Sequence, residues 1–235
     1  QTFQNYIIDN INNFSSIKTL GYVHSALPPL PTEYIKRPGA PKKLIVHGKM
    51  QKKILENKLG WNSKEVILKE SARYKKKDKT NFQNKIFIPM TFENDNSLLL
   101  YFENFLKEQK NNSLNTFKIR NHPFMNNSQK HLKFINNINL LLNKYKIKFM
   151  NKKKYSPNFS IFFSATASII EALEHDVDVI HIVSDPVIEA HTSEMWRSIN
   201  VKKISINTYL YNLTNTHTYI NFQKKNYTFS NWLKK

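Results

Sequence analysis

The chain has 235 residues, 40% of them apolar with 16 Phe and 11 Tyr, which fits one large domain or two small ones around a sizeable core and excludes global disorder. The absence of cysteine excludes disulfide staples, cysteine-ligated zinc and a thiol nucleophile, and the 4 glycines form neither a G-x-G-x-x-G fingerprint nor a Walker loop. No apolar run approaches a membrane span, and the net charge of +19 points to an anionic partner (nucleic acid, an anionic membrane or a phosphorylated ligand) unless it reflects only a genome rich in A and T.

Short apolar runs alternate with helical patterns along the chain. The spacing predicts a strand over Thr19 to His24, then an irregular loop carrying Pro28, Pro29, Pro31, Pro38, Gly39 and Pro41. Lys43 to His47 reads as a second strand stopped by Gly48, Met50 to Lys58 as a helix, and Glu65 to Lys69 as a third strand. The basic run from Lys75 to Lys85 reads as a solvated linker. Beyond it the alternation restarts. Ile86 to Pro89 is predicted as a strand, and Asn96 to Lys107 as a helix with Leu99, Phe102, Phe105 and Leu106 on one face. Phe117 to Arg120 is a strand that runs into Asn121, His122 and Pro123, and Ser128 to Tyr145 is a helix. Ile147 to Met150, Phe159 to Phe163, Val177 to Val183 and Ile204 to Ile206 read as strands, Thr166 to Glu174 as a helix, and Phe229 to Leu233 as the start of a terminal helix. Strands separated by helices imply parallel pairing, hence an α/β fold with Rossmann-like parallel sheets.

In an open parallel sheet, ligands sit beyond the carboxyl ends of the strands. The polar residues just after each strand are therefore the informative ones: His24 and Ser25, Gly48, Arg73, Arg120 with His122, Ser164 with Thr166 and Ser168, and Asp185. Ser164 to Ser168 lies between a buried strand and a helix, where hydroxyls and unused backbone N–H groups favour phosphate. Ser168 with Glu171 also reads as a capping box, which needs no ligand. Arg120 and His122 can donate to phosphate or ribose oxygens, and Pro123 holds His122 extended. His24 can take a proton from an acceptor hydroxyl or simply hydrogen-bond its loop. Glu70 and Arg73 are expected to pair with each other. Asp176, Asp178 and Asp185 lack metal-ligand spacing, so no metal site is expected.

Four segments carry a family resemblance. G-Y-V-H-S at 21–25, K-L-I-V-H-G at 43–48 with L-G-W at 59–61 and E-S-A-R-Y at 70–74, R-N-H-P at 120–123, and S-A-T-A-S-I-I-E-A-L at 164–173 with V-D-V-I-H-I at 177–182 resemble motifs of GT-B glycosyltransferases of bacterial surface carbohydrate, the sialyltransferase-like and glycerol-phosphate-transferase-like groups among them. The resemblance covers roughly Thr19 to Ile206. It implies a partial acceptor-side domain over 1–74, a linker over 75–85, a complete donor domain over 86–212 and a C-terminal segment over 213–235. It also implies transfer of a sugar from a nucleotide-sugar to a glycan or lipid-linked acceptor, with no cofactor and no metal. Arg120, His122, Ser164, Thr166 and Ser168 would hold the donor, Glu171 would contact the ribose or steady the loop, and His24 would be the base. Ser25, Gly48, Arg73 and Asp185 would line a cleft. The enzyme would be cytoplasmic or peripheral at an anionic inner membrane. Two departures stand out: Ala167 separates Thr166 from Ser168, and the acidic base motif of sialyltransferases is absent.

The rival expectation is a basic nucleic-acid- or ribosome-associated α/β protein. The spread of basic residues and the absence of a recognised RNA-binding module speak against it. A nucleotide-sugar epimerase with the same pocket is a third reading. With Gln at position 1 and no signal peptide after it, the chain is expected to be part of a longer product.

Overall fold

The structure, a computed structural model, describes residues 18–26, 34–108, 117–145, 159–184, 198–214 and 218–224 together with Ile11. It is an α/β protein forming two compact units, residues 1–76 with 217–235 and residues 77–216.

The first unit holds a parallel sheet in the order β1 (Leu20–Tyr22), β2 (Lys43–Val46), β3 (Val66–Leu68). Helix α1 (Lys49–Lys58) connects β2 to β3 and buries Met50, Ile54 and Leu55. Residues 218–224 belong to this unit, although 213–235 was expected to stand as a separate segment. Met50 N–H donates to Thr218 O at 2.9 Å, Asn221 N–H to His47 O at 2.6 Å and Ser71 N–H to Asn221 O at 2.7 Å. A strap thus satisfies backbone groups that the short strands leave open. Gly48 is required by this packing, because a Cβ there would collide with the Tyr219 carbonyl.

The second unit holds a six-stranded sheet in the order β5 (Lys118–Arg120), β4 (Lys85–Phe87), β6 (Phe159–Phe163), β7 (Asp178–Ile182), β9 (Thr208–Leu213), β8 (Ile199–Ser205). The first four strands are parallel. The expectation of purely parallel pairing fails at the other side, where β9 runs antiparallel to both β7 and β8. Ile204 to Ile206, read as a short strand, is the end of β8 and its turn. Asn207, at φ 47°, closes a two-residue connection of the kind that left-handed turn residues make. The expected strand over 147–150 and helix over 229–233 lie outside the described residues.

Helices α2 (Asp95–Glu108) and α3 (Gln129–Lys144) cover one face of this sheet. Their Leu98, Phe102, Phe105, Phe134 and Ile138 form one cluster with Ile86, Ile161, Phe163, Ile180 and Ile182. Leu99, expected on the buried face of α2, is only partly buried, while Leu98 is fully so. Phe163 anchors the cluster, with the rings of Phe102 and Phe134 edge-on at 5.4 and 5.2 Å, a favoured aromatic geometry. Successive strand residues point to opposite faces. Phe87 and Phe162 therefore stack at 4.4 Å on the other face, where helix α4 (Ser168–Leu173) lies. Phe82 and His175 extend this stack. Phe82 is 2% exposed, so the 75–85 run is not a solvated linker throughout.

Candidate functional site

The helices set where a ligand can enter the second unit. The chain leaves β4 and β5 toward the face covered by α2 and α3, but leaves β6 toward the face of α4. Neighbouring strands whose exits diverge leave a crevice beyond their carboxyl ends, and here it falls between β4 and β6. A cavity of ≈ 210 Å³ occupies this place. Its lining comes from three strand ends: Phe87, Ile88 and Pro89 after β4, Arg120 to Pro123 after β5, and Thr166, Ser168 and Glu171 after β6, with Lys77 and Phe82.

Of the residues expected at a donor site, Arg120, His122, Thr166, Ser168 and Glu171 line this one cavity. Ser164 does not line it, but it follows β6 on the same rim. Asp185 lies outside the described residues. His24, Ser25, Gly48 and Arg73 belong to the first unit.

The β5 loop fixes itself. Asn121 Oδ1 accepts from His122 N–H at 3.0 Å, Asn121 Nδ2 donates to Met125 O at 3.0 Å, and His122 is extended at φ −64°, ψ 132°, ahead of Pro123. The Nδ1 atom of His122 is buried with no hydrogen-bond partner among the described residues, an arrangement that costs free energy unless something fills it. The Arg120 guanidinium lies 5.7 Å from the centre of the Phe87 ring.

The β6 loop departs from the expected capping box. Ser168 is the first helical residue, and the preceding Ala167 supplies no cap. Thr166 Oγ1 instead accepts from Ser168 N–H at 3.4 Å. Helix α4 has six residues, too few peptide dipoles to make its end a strong anion site, so cationic side chains carry more of the field.

Glu171 does not reach back to the loop. Its Oε1 takes the Lys77 ammonium at 2.7 Å. Lys77 N–H also donates to His175 Nε2 at 2.9 Å, so His175 carries its proton on Nδ1 and donates it to Glu171 O at 2.7 Å. Two bonds thus pin Lys77 onto α4 and the turn that follows it. The lining carries Lys77 and Arg120 against the one carboxylate of Glu171, a balance suited to an anion.

Sequence reasoning missed a buried support under this loop. Ser164 sits at φ 54°, a conformation uncommon outside glycine. The His181 ring lies with Nε2 3.0 Å from Ser164 O and Nδ1 2.9 Å from the Tyr211 hydroxyl. A carbonyl can only accept, so Nε2 carries the proton and Tyr211 O–H donates to Nδ1. Burial lowers the His181 pKa to about 4, against a smaller opposing effect of the Ser164 hydrogen bond. The only sequence signal was a histidine inside an apolar strand.

In the first unit, His24 is exposed beyond β1, and Ser25 O accepts from Gln51 Nε2 at 2.7 Å. The expected Glu70–Arg73 pair does not form. Glu70 accepts from Lys224 N–H at 3.2 Å, and the Arg73 guanidinium lies 5.3 Å from the Tyr74 ring. His47 is fully buried. Burial lowers its pKa to about 4, the approach of the Tyr219 backbone opposes this, and Arg73 and His24 add to the lowering. That approach stops short of hydrogen-bond geometry, and neither ring nitrogen of His47 has a hydrogen-bond partner among the described residues.

Among the described residues no group of His, Asp or Glu could hold a metal ion, and no helix is long and apolar enough to cross a membrane. Comparison of the chain with family models, with curated proteins and with solved structures finds no match.

Proposed function

We propose that the chain is a glycosyltransferase of the GT-B kind and that the cavity of the second unit receives the phosphate that joins nucleoside and sugar in a nucleotide-sugar. The observation that carries this reading is the convergence of Arg120, His122, Thr166, Ser168 and Glu171 on one crevice between diverging strand exits. Its ≈ 210 Å³ is below the roughly 300–1,000 Å³ of whole-ligand pockets, as suits a site that grips part of a longer molecule. Phe82, Phe87, Ile88 and Pro89 offer an apolar wall beside the polar one.

In this reading an acceptor hydroxyl attacks the anomeric carbon as the bond to the nucleotide phosphate breaks. The family resemblance names His24 as the group that takes the hydroxyl proton. The leaving phosphate gains negative charge as the bond breaks, and Arg120, His122 and the β6 loop offset it. The +19 charge supports a peripheral hold on an anionic membrane that carries the acceptor, in which case binding to phosphatidylglycerol vesicles weakens as salt rises.

A thermal-shift screen against CMP, CDP, UDP and GDP tests the donor site, because a ligand that binds only the folded chain raises its Tm. The expected result is a rise with one of the four. No rise with any of them at millimolar concentration contradicts the reading.

A further inference from the structure

Lys77, Phe82, Phe87 and Arg120 all line the cavity of the second unit, and the two rings join the two cations to one floor. The centres of the Phe82 and Phe87 rings are 6.1 Å apart in a stacked arrangement, which Phe162 continues at 4.4 Å. The Lys77 ammonium lies 5.7 Å from the Phe82 ring centre, and the Arg120 guanidinium 5.7 Å from that of Phe87. Both are inside the reach of about 6 Å for cation–π attraction, so two like charges stand over neighbouring rings of one stack. Between them the end of β4 contributes Phe87, Ile88 and Pro89, which carry no side-chain donor and no charge. β4 separates β5 from β6. Arg120 at the end of β5 and helix α4 after β6 therefore flank this apolar floor, about two strand spacings or roughly 10 Å apart. Two cations against one carboxylate in the lining repel each other, and an oxyanion between them relieves the repulsion.

We propose that Lys77 is a second cationic ligand of the phosphate, closing a clamp with Arg120 over the Phe82–Phe87 stack, and that Glu171 is the positioning residue that holds its ammonium. The inference rests on the donor-site reading for its ligand, and it assigns Glu171 to Lys77 rather than to a ribose. Lys77 is fixed at both ends. Glu171 Oε1 accepts from its ammonium at 2.7 Å, and its backbone N–H donates to His175 Nε2 at 2.9 Å. An ammonium has three N–H donors, and the bond to Glu171 uses one. The Lys77 side chain is 45% exposed while that of Glu171 is 9% exposed, so the ammonium is the member of the pair that an entering anion meets. A side chain already held in place loses little freedom when it binds.

Lys77→Met alone is an ambiguous test, because it strands the Glu171 charge at the cavity and that charge repels anions by itself. Lys77→Met combined with Glu171→Gln removes both charges and leaves the net charge of the lining unchanged. Calorimetry with pyrophosphate, which carries no base, ribose or sugar, is expected to show about tenfold weaker binding to this double variant than to the unaltered chain. Equal binding overturns the proposal, since Lys77 would then only neutralise Glu171. If the double variant fails to fold, the unaltered chain decides. Reductive methylation read by peptide mass spectrometry reports the reactivity of each lysine amine. Saturating pyrophosphate is expected to suppress methylation of Lys77 but not of Lys107, which is similarly exposed at 48%, pairs with Glu103 at 4.0 Å and does not line the cavity. No suppression at Lys77, or equal suppression at both, overturns the proposal. A nucleotide that binds while pyrophosphate does not overturns the clamp and leaves the donor-site reading standing. An unaltered chain that binds none of pyrophosphate, CMP, CDP, UDP and GDP refutes the donor-site reading itself, and the clamp with it.

Discussion

Lys77 and Glu171, 94 residues apart in sequence, meet at 2.7 Å and tie the start of the second unit to helix α4 beside the cavity. The carboxylate is 9% exposed and the lysine 45%, so solvent screens the pair from the lysine side only. Lys77→Ala leaves a largely buried carboxylate without its counter-charge. The cost is expected to be about 1–2 kcal/mol, discounted from a fully buried pair because half of the lysine faces water. Glu171→Gln keeps the shape and is expected to cost less. A double-mutant cycle by urea unfolding measures the coupling, and additivity of the two changes would remove the pair from the account.

Stability is expected to fall with pH between about 6.5 and 4. His47 and His181 both have folded pKa values lowered from 6.5 to about 4 by burial. As pH drops below 6.5 the unfolded chain takes up these protons first. The contribution is therefore complete above pH 6.5 and is lost as pH falls toward 4. Each group carries about 3 kcal/mol over that window. The two residues sit in different units, so both units are expected to lose urea resistance between pH 7 and pH 5. Equal unfolding midpoints at those two pH values would contradict the burial of the two rings.

Gly48→Ala is expected to loosen the 218–224 strap. The added methyl meets the Tyr219 carbonyl, and rigid backbone yields less readily than a side chain. Overpacking of this kind costs roughly 1–3 kcal/mol. Limited proteolysis should then open at 218–224 before the rest of the first unit, together with a lower Tm. An unaltered cleavage pattern would mean that the strap packs elsewhere in solution.

Much of the second unit was legible because parallel strands buried on both faces read as continuous apolar runs. Phe159 to Phe163 is the plainest case and matches β6 to the residue. The polar residues after such runs marked the cavity rim, which is how Arg120, His122, Thr166 and Ser168 were found. Partners distant in sequence were not legible. His181 looked like an ordinary member of an apolar strand, because nothing local states that Ser164 and Tyr211 lie on either side of its ring. Lys77 and Phe82 sat in a basic run that resembles a solvated one. Of the β8–β9 hairpin only Ile204–Ile206 is legible, because the lysines at 202 and 203 interrupt the alternation and a lone Asn207 is a weak turn signal. Gly48 was noticed as a cleft residue, whereas the structure gives it a packing role against Tyr219.

Titration calorimetry of one nucleotide, the most stabilising of CMP, CDP, UDP and GDP, against the unaltered chain and the Arg120→Met and His122→Ala variants tests the central claim most directly. Each variant removes a charge-assisted or buried donor worth roughly 1.5–3 kcal/mol to a bound anion, so affinity is expected to fall about tenfold to a hundredfold while the Tm of the unliganded protein stays within a few degrees. Affinity unchanged in both variants, or no nucleotide binding by the unaltered chain, would contradict the account.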